Sequence, residues 1–168
     1  VKGAGVRVAP LTVEADVRVP PETARNWFLS LADHPERYTF ESHQGFDFVR
    51  GRFGEVGAQF RTREQFFVFR IDLLFELTEV RENAFCFRLV RPVSLGVWGG
   101  FEIESGAEGF TTLVLRIGSE TRAGQLFLRC YPVAMAIHRQ IAAEVSHIGQ
   151  SMERTYPRRR APTEDGRR

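Results

Sequence analysis

The chain opens with apolar and polar residues that alternate with the two-residue period of a β-strand. Over residues 12–19 the apolar side chains fall on one face and the charged or hydroxyl side chains on the other, which is typical of a half-buried strand. Pro21 follows and suits the first turn of a helix. Apolar residues then recur at helical spacing up to Leu31, and a second short helix is predicted over residues 36–38.

Six further strands are predicted in the middle of the chain. Apolar residues, many of them phenylalanine, alternate with polar residues over 45–53, 58–64, 71–78, 85–90, 97–104 and 111–117. Glycines and other turn-forming residues separate these segments by short intervals. Connections this short favour hairpins, so we predict an antiparallel sheet of about seven strands, the first strand included.

The last predicted element is a long amphipathic helix. Its apolar residues recur at intervals of three and four and share one face: Ala134, Ile137, Ile141, Val145, Ile148 and Met152. Gln140 and Glu144 are assigned, with other polar residues, to the remaining faces. The helix is expected to begin at or after Gly124, with Pro132 at a kink or in the first turn, and to end by Pro157.

Length and composition are those of a single globular domain. The chain has 168 residues, of which 43% are hydrophobic and 26% charged. Its longest stretch without a charged residue, 92–101, has ten residues, about half the length of a membrane-spanning helix. We see no signal peptide, and Cys86 and Cys130 form neither a disulfide framework nor a CxxC metal motif. We therefore expect a cytoplasmic location and no stable membrane insertion.

The positive charge is concentrated at the end of the chain. Residues 154–168 contain six arginines and two acidic residues, a balance of +4, so the rest of the chain carries −2 within a total of +2. We therefore predict no nucleic-acid binding by the folded body. The predicted organisation is an N-terminal extension at 1–10, one domain at 11–156 and a disordered basic tail at 157–168.

Several segments also resemble the SRPBCC superfamily, which includes START-type and polyketide cyclase-like proteins. The similar segments are TVEADVRVPPE from Thr12, LADHPERY from Leu31, FRTRE from Phe60, FELTEV from Phe75 and FCFR from Phe85, with 146–153 near the end of the last helix. The resemblance lies in the order and spacing of these segments and covers roughly residues 11–156.

The resemblance implies an α+β helix-grip fold. In that fold a seven-stranded curved antiparallel sheet wraps round a long C-terminal helix, and two short helices follow strand 1. It also implies a cavity for a hydrophobic ligand between the sheet and the long helix. The superfamily has no shared catalytic motif, so the fold alone does not fix a reaction.

The phenylalanine content agrees with an apolar cavity. Of 15 phenylalanines, 13 lie between residues 40 and 110. An ordinary β-sheet core would account for most of them, and the surplus indicates an apolar pocket. The predicted ligand-binding residues share the faces that we assign inward, on the strands and on the last helix: Phe60, Thr62, Phe75, Phe87, Phe101, Tyr131, Met135 and His138.

Two ionisable residues are candidates for catalytic proton transfer. Glu64 shares a strand face with Phe60 and Thr62, so inside an apolar cavity it could act as a general acid or base. The alternative is that a bulge near Phe66 turns Glu64 outward. His138 lies beside the apolar face of the last helix and could also carry a proton, and the alternative is a partly exposed residue at the edge of the core.

The other histidines and one apolar segment have less specific interpretations. His34 and His43 lie in polar segments and are predicted to be surface residues. The four histidines lack the spacing of metal ligands, and no metal or cofactor is predicted. The segment from Phe66 to Phe69 is either a hairpin tip or a buried strand with a bulge; an exposed tip would touch a membrane transiently, a partner or an entering ligand.

Three functions remain open at this point. The first is binding or transport of a hydrophobic small molecule such as a lipid, a quinone or a polyketide. The second is an enzyme of the polyketide cyclase or dehydratase type that uses the same cavity. The third is a non-catalytic protein-interaction module. A wholly apolar cavity would favour the first, a cavity with one or two inward polar groups the second, and a filled interior the third. The sequence does not indicate an oligomeric state.

Overall fold

A computed structural model describes residues 9–41, 43–66, 69–91 and 95–157. These residues form seven strands, three short 3₁₀ helices and three α-helices. In chain order the elements are β1 (Leu11–Val17), α1 (Pro21–Leu29), 3₁₀ helices at Ser30–Ala32 and Pro35–Tyr38, β2 (His43–Arg50), β3 (Gln59–Phe66), β4 (Phe69–Val80), β5 (Ala84–Arg91), β6 (Val97–Ser105), a 3₁₀ helix at Ala107–Gly109, β7 (Thr111–Ser119), α2 (Arg122–Arg129) and α3 (Tyr131–Thr155).

The seven strands form one antiparallel sheet in the order β1-β7-β6-β5-β4-β3-β2. From β2 to β7 each strand pairs with the next, as the short predicted connections require. Strand β1 pairs with β7 and so forms one edge of the sheet, with β2 at the other. The sheet is curved, and α3 packs across it against β1 and β7. The predicted strands, their antiparallel pairing and the helix-grip architecture are confirmed.

The inward face of the strands is the one that the alternation assigned. Val17, Phe60, Leu77, Phe85 and Phe101 are all buried, and they come from five different strands. The first helix begins at Pro21, which has no backbone N–H to leave unpaired in the first turn. Burial of these faces against α1 and α3 supplies most of the hydrophobic stabilisation.

The C-terminal helical region begins at Arg122, two residues before the predicted limit of Gly124, and differs from the prediction in one further respect. It forms two helices, because Cys130 leaves helical geometry with a ψ of 115°. Pro132 explains the break: it has no N–H for the carbonyl four residues earlier, and its ring would clash with that carbonyl. Along α3, Ile141, Val145 and Ile148 are buried as predicted. Gly149 lets the helix approach β1, since a Cβ there would lie 3.0 Å from a methyl group of Val17.

The predictions for the Phe66–Phe69 segment and for the basic tail fall partly on residues outside the described ranges. Strand β3 ends at Phe66 and pairs antiparallel with β4, which begins at Phe69; Phe69 is 68% exposed, and residues 67–68 lie outside the described ranges. The basic tail also falls outside them from residue 158 onward, and the division into extension, domain and tail stays a prediction. No helix in the described ranges has the length and apolar character needed to cross a membrane.

Candidate ligand-binding cavity

A cavity of about 310 Å³ lies between the inner face of the sheet and helices α2 and α3. Much of its wall is aromatic: Phe46, Phe53, Phe60, Phe75, Phe87 and Phe101. Leucine and isoleucine side chains from β7, α2 and α3 complete the apolar part. Five residues predicted to bind a ligand lie in this wall: Phe60, Thr62, Phe75, Phe87 and Phe101. Their contact with a ligand stays a prediction.

The aromatic wall follows directly from the strand alternation. Phe60, Phe75, Phe87 and Phe101 come from β3, β4, β5 and β6, one ring from each strand. Neighbouring ring centroids lie 5.4, 5.3 and 5.8 Å apart along this row, distances at which aromatic pairs attract one another. The rings therefore support each other and form a continuous surface.

The helix-borne residues of the predicted site lie elsewhere. Tyr131 is 78% and Met135 40% exposed, His138 is also exposed, and none of the three lines the cavity. The prediction that they contribute to the cavity wall is wrong. Each residue of an α-helix is rotated by about 100° from the one before it. Because Ile137 and Ile141 face the cavity, His138 points to the side and Met135 away from it.

One residue of the wall is also exposed to solvent. Phe127 in α2 lines the cavity and is nevertheless 45% exposed. Phe127 therefore contributes both to the cavity wall and to the outer surface of α2.

Five polar residues also line the cavity, although nearly all of the surface of its wall is apolar. We call Tyr38, His43, Glu64, Gln140 and Glu144 the polar cluster, and all five line the cavity. They come from four elements that are far apart in the sequence: a 3₁₀ helix, β2, β3 and α3. The fold therefore brings titratable groups together inside an otherwise apolar chamber.

His43 and Glu64 form the buried ion pair of this cluster. They face each other in the β2–β3 register, and His43 Nδ1 lies 2.9 Å from Glu64 Oε1. Backbone hydrogen bonds in both directions with Phe40 hold His43 at the start of β2. His43 is only 2% exposed, so the prediction that it is a surface residue is wrong, whereas His34 is exposed.

Glu64 has the inward orientation that the strand alternation gives it. The register shift that the alternative reading required occurs in β2, between His43 and Gly45, so β3 continues unbroken past Glu64. The amide of Gln140 donates a hydrogen bond to Glu64 Oε2. Glu64 is thus held by groups on both the sheet and α3, and its catalytic role stays a prediction.

Tyr38 and Glu144 form the second pair. The Tyr38 hydroxyl donates a hydrogen bond to Glu144 Oε1, joining the 3₁₀ helix to α3. Protein surrounds the Glu144 carboxyl, and part of the residue's surface remains open to the cavity. Burial and the nearby charge of Glu64 raise the pKa of Glu144 to about 7, against the opposing effects of His43 and Tyr38.

Two other pKa values in the cluster shift for related reasons. Burial raises the pKa of Tyr38, and the neighbouring Glu144 adds to this rise. Burial lowers the pKa of His43, but its contact with Glu64 and the charges of Glu144 and Glu64 outweigh that effect, so the net pKa is raised. At neutral pH the cluster therefore contains groups that can donate a proton and groups that can accept one.

Four of these five residues were not predicted from the sequence. His43 was missed because it opens a strand immediately after a polar segment. Gln140 and Glu144 were assigned to the polar side of the helix, although they lie three and seven residues after Ile137 and so beside the apolar face. That spacing was the available signal. Within the ranges described, no three His, Cys, Asp or Glu side chains are close enough together to hold a metal ion.

Comparisons with known proteins identify the fold. No protein-family model and no curated protein matches the chain. Among solved structures, TTHA0849 from Thermus thermophilus is 16% identical with a TM-score of 0.68, covering 88% of this chain and 99% of that one. Ara h 8.0201 is 14% identical with a TM-score of 0.61, covering 84% and 95%.

A third solved structure is a two-domain protein. BexL, the di-domain ARO/CYC from the BE-7585A biosynthetic pathway, is 12% identical with a TM-score of 0.64. The likeness covers 89% of this chain and 48% of BexL, so this chain spans about half of that protein's length. At these identities the likeness concerns the fold. The chain therefore has a helix-grip fold, the fold that the resemblance of its sequence segments implied.

Proposed function

We propose that the protein binds a hydrophobic small molecule in the cavity between the sheet and α3. The observation that carries this proposal is a chamber of about 310 Å³ with aromatic and aliphatic walls and a few polar residues. Small-molecule sites are typically apolar clefts of about 300–1,000 Å³ with a few convergent polar groups. The volume suits a compact ligand or a single chain.

The structural neighbours support the same class of function. BexL is described as an ARO/CYC protein of a biosynthetic pathway, and this chain shares its fold. The cavity also makes the protein-interaction module the weakest of the three hypotheses, because that hypothesis expected a filled interior.

Titration with N-phenyl-1-naphthylamine, an uncharged fluorescent probe, tests ligand binding. We expect saturable binding with about one probe per chain. Phe75→Trp should weaken binding, because the larger ring occupies space in the cavity. Leu74→Trp is the matched control, since the neighbouring residue of β4 lies on the other face of the sheet. Absence of saturable binding to the wild type, or equal weakening by both substitutions, would contradict the proposal.

A proton-transfer enzyme of the cyclase or dehydratase type is the second candidate. The polar cluster favours it, because His43, Glu64 and Glu144 place ionisable groups in the wall of a hydrophobic chamber. Loss of water from a β-hydroxy ketone requires one group to remove the proton next to the carbonyl and another to protonate the departing hydroxyl. Groups of both kinds are present in the cluster.

Turnover of a poly-β-ketone thioester, followed by mass spectrometry, tests the enzyme hypothesis. Glu64→Gln and Glu144→Gln keep similar side-chain shapes and remove the carboxylic acid. Loss of turnover with unchanged binding of N-phenyl-1-naphthylamine would support proton transfer by the substituted residue. Turnover equal to that of the wild type in both variants would exclude catalysis by these two carboxyl groups.

A further inference from the structure

The charged residues that face the cavity have an unusual balance. Two are acids, Glu64 and Glu144, and one is a histidine, His43. None of the described residues that line the cavity is a lysine or an arginine, although the chain contains 23 such residues. The cavity therefore offers no permanent positive charge to a ligand.

Strand alternation explains this absence. The residues of β3 that point inward are Phe60, Thr62 and Glu64, so the intervening Arg61 and Arg63 point outward. Both arginines are exposed and pair with aspartates on the outer face, at 2.8 Å from Asp47 and 3.1 Å from Asp72. The arginines next to Glu64 along β3 are thus held on the far side of the sheet.

The remaining charges in the cluster nearly cancel. Glu64 is matched by His43 at 2.9 Å, which leaves Glu144 with the Tyr38 hydroxyl as its hydrogen-bond partner. The ionisable groups that face Glu144 are Tyr38, His43 and Glu64. While the His43–Glu64 pair is charged, the cluster is neutral when Glu144 is protonated and carries one negative charge when it is not.

We propose that the cavity selects apolar molecules whose polar end is an uncharged hydroxyl or carbonyl group, and discriminates against carboxylates such as fatty acids. This inference rests on the proposed function, since it names the ligand class of the same cavity. A ligand carboxylate would be buried beside Glu144 without a cation to pair with, and an unpaired buried charge is costly. A hydroxyl brings no net charge and needs only hydrogen-bond partners.

The cluster can supply those partners. A carboxyl group accepts a hydrogen bond from a ligand hydroxyl and, when protonated, donates one to a ligand carbonyl.

Competition against N-phenyl-1-naphthylamine tests the selectivity. The competitors are decan-1-ol and decanoate, which share one chain length and differ in charge, and the assay is run at pH 8 and pH 6. At pH 8 we expect decan-1-ol to displace the probe at a concentration at least about tenfold lower than decanoate, which corresponds to about 1.4 kcal/mol. Equal or better displacement by decanoate would overturn the proposal.

A variant identifies the group responsible. In Glu144→Gln the disadvantage of decanoate at pH 8 should shrink at least about threefold, and its dependence on pH between 6 and 8 should become weaker. Glu14→Gln, an exposed glutamate on β1, is the matched control and should behave like the wild type. An unchanged ratio in a folded Glu144→Gln would refute the role of Glu144. The wild-type competition decides the selectivity itself, even if this variant does not fold.

These outcomes separate the two proposals. If N-phenyl-1-naphthylamine does not bind the wild type, the proposed function fails and the selectivity fails with it. If the probe binds and decanoate displaces it as readily as decan-1-ol, ligand binding stands and only the selectivity is wrong.

Discussion

The wild-type protein should become less stable as the pH rises from about 5 to about 8, and replacing Glu144 with glutamine should abolish most of that loss. In the folded protein burial and the charge of Glu64 raise the pKa of Glu144 from the ordinary 4.5 to about 7. Between these two values the folded state binds more protons than the unfolded state. The free energy of unfolding therefore falls as the pH rises through this interval.

The magnitude follows from the size of the pKa change. Each pKa unit is worth about 1.4 kcal/mol, so a rise from 4.5 to about 7 corresponds to about 3 kcal/mol at full ionisation. His43 acts in the same direction: its pKa is also raised, so its stabilising contribution is present at low pH and is lost as the pH rises through the folded-state value. Glutamine at position 144 removes the first contribution and alters the second only indirectly.

Urea denaturation at pH 5, 6, 7 and 8 measures this effect. Between pH 5 and pH 8 the wild type should lose about 3 kcal/mol more than Glu144→Gln. Glu14→Gln, whose glutamate is exposed on β1, should follow the wild type. Parallel pH profiles for the wild type and Glu144→Gln would refute the reasoning, because they would mean that burial does not favour the protonated form of Glu144.

Three further substitutions test the fold and the corrected site. Val145→Asp should abolish cooperative thermal unfolding, because Val145 is 0% exposed and a buried charge costs several kcal/mol; Ala143→Asp on the exposed face should unfold normally. Gly124→Ala should destabilise α2 by about 1–3 kcal/mol in urea despite the higher helix propensity of alanine, because the new Cβ would overlap the Leu95 carbonyl. His138→Ala should leave binding of N-phenyl-1-naphthylamine unchanged, since its side chain lies outside the cavity; weakened binding would restore its predicted role.

The fold could be predicted because its signals are local. In a strand the side chains alternate between two faces, so the apolar positions around Phe60, Phe75, Phe87 and Phe101 already indicated which rings would meet. Short turn segments between strands implied antiparallel neighbours. The pairing of β1 with β7 is not a local signal, and it was predicted only through the resemblance to the helix-grip fold.

The polar cluster could not be predicted in the same way. Tyr38 and Glu144 are 106 residues apart in the sequence, and no periodicity links a 3₁₀ helix to the last helix. His43 was assigned to the surface because its sequence neighbours are polar, whereas its burial depends on Glu64 in the next strand and on Phe40 before it. Local polarity predicts solvent exposure only where no other part of the chain supplies a partner.

The sequence by itself therefore determined the strands, the apolar face of α3 and the inward orientation that Glu64 adopts. Only the tertiary structure decided which part of α3 faces the cavity. Gln140 and Glu144 line it, whereas the predicted Tyr131, Met135 and His138 do not. The physical reason is that the spacing of hydrophobic residues predicts which side chains are buried in the apolar core. A cavity wall that is partly polar is built from residues which that pattern assigns to water, and their burial is stabilised by partners from distant segments.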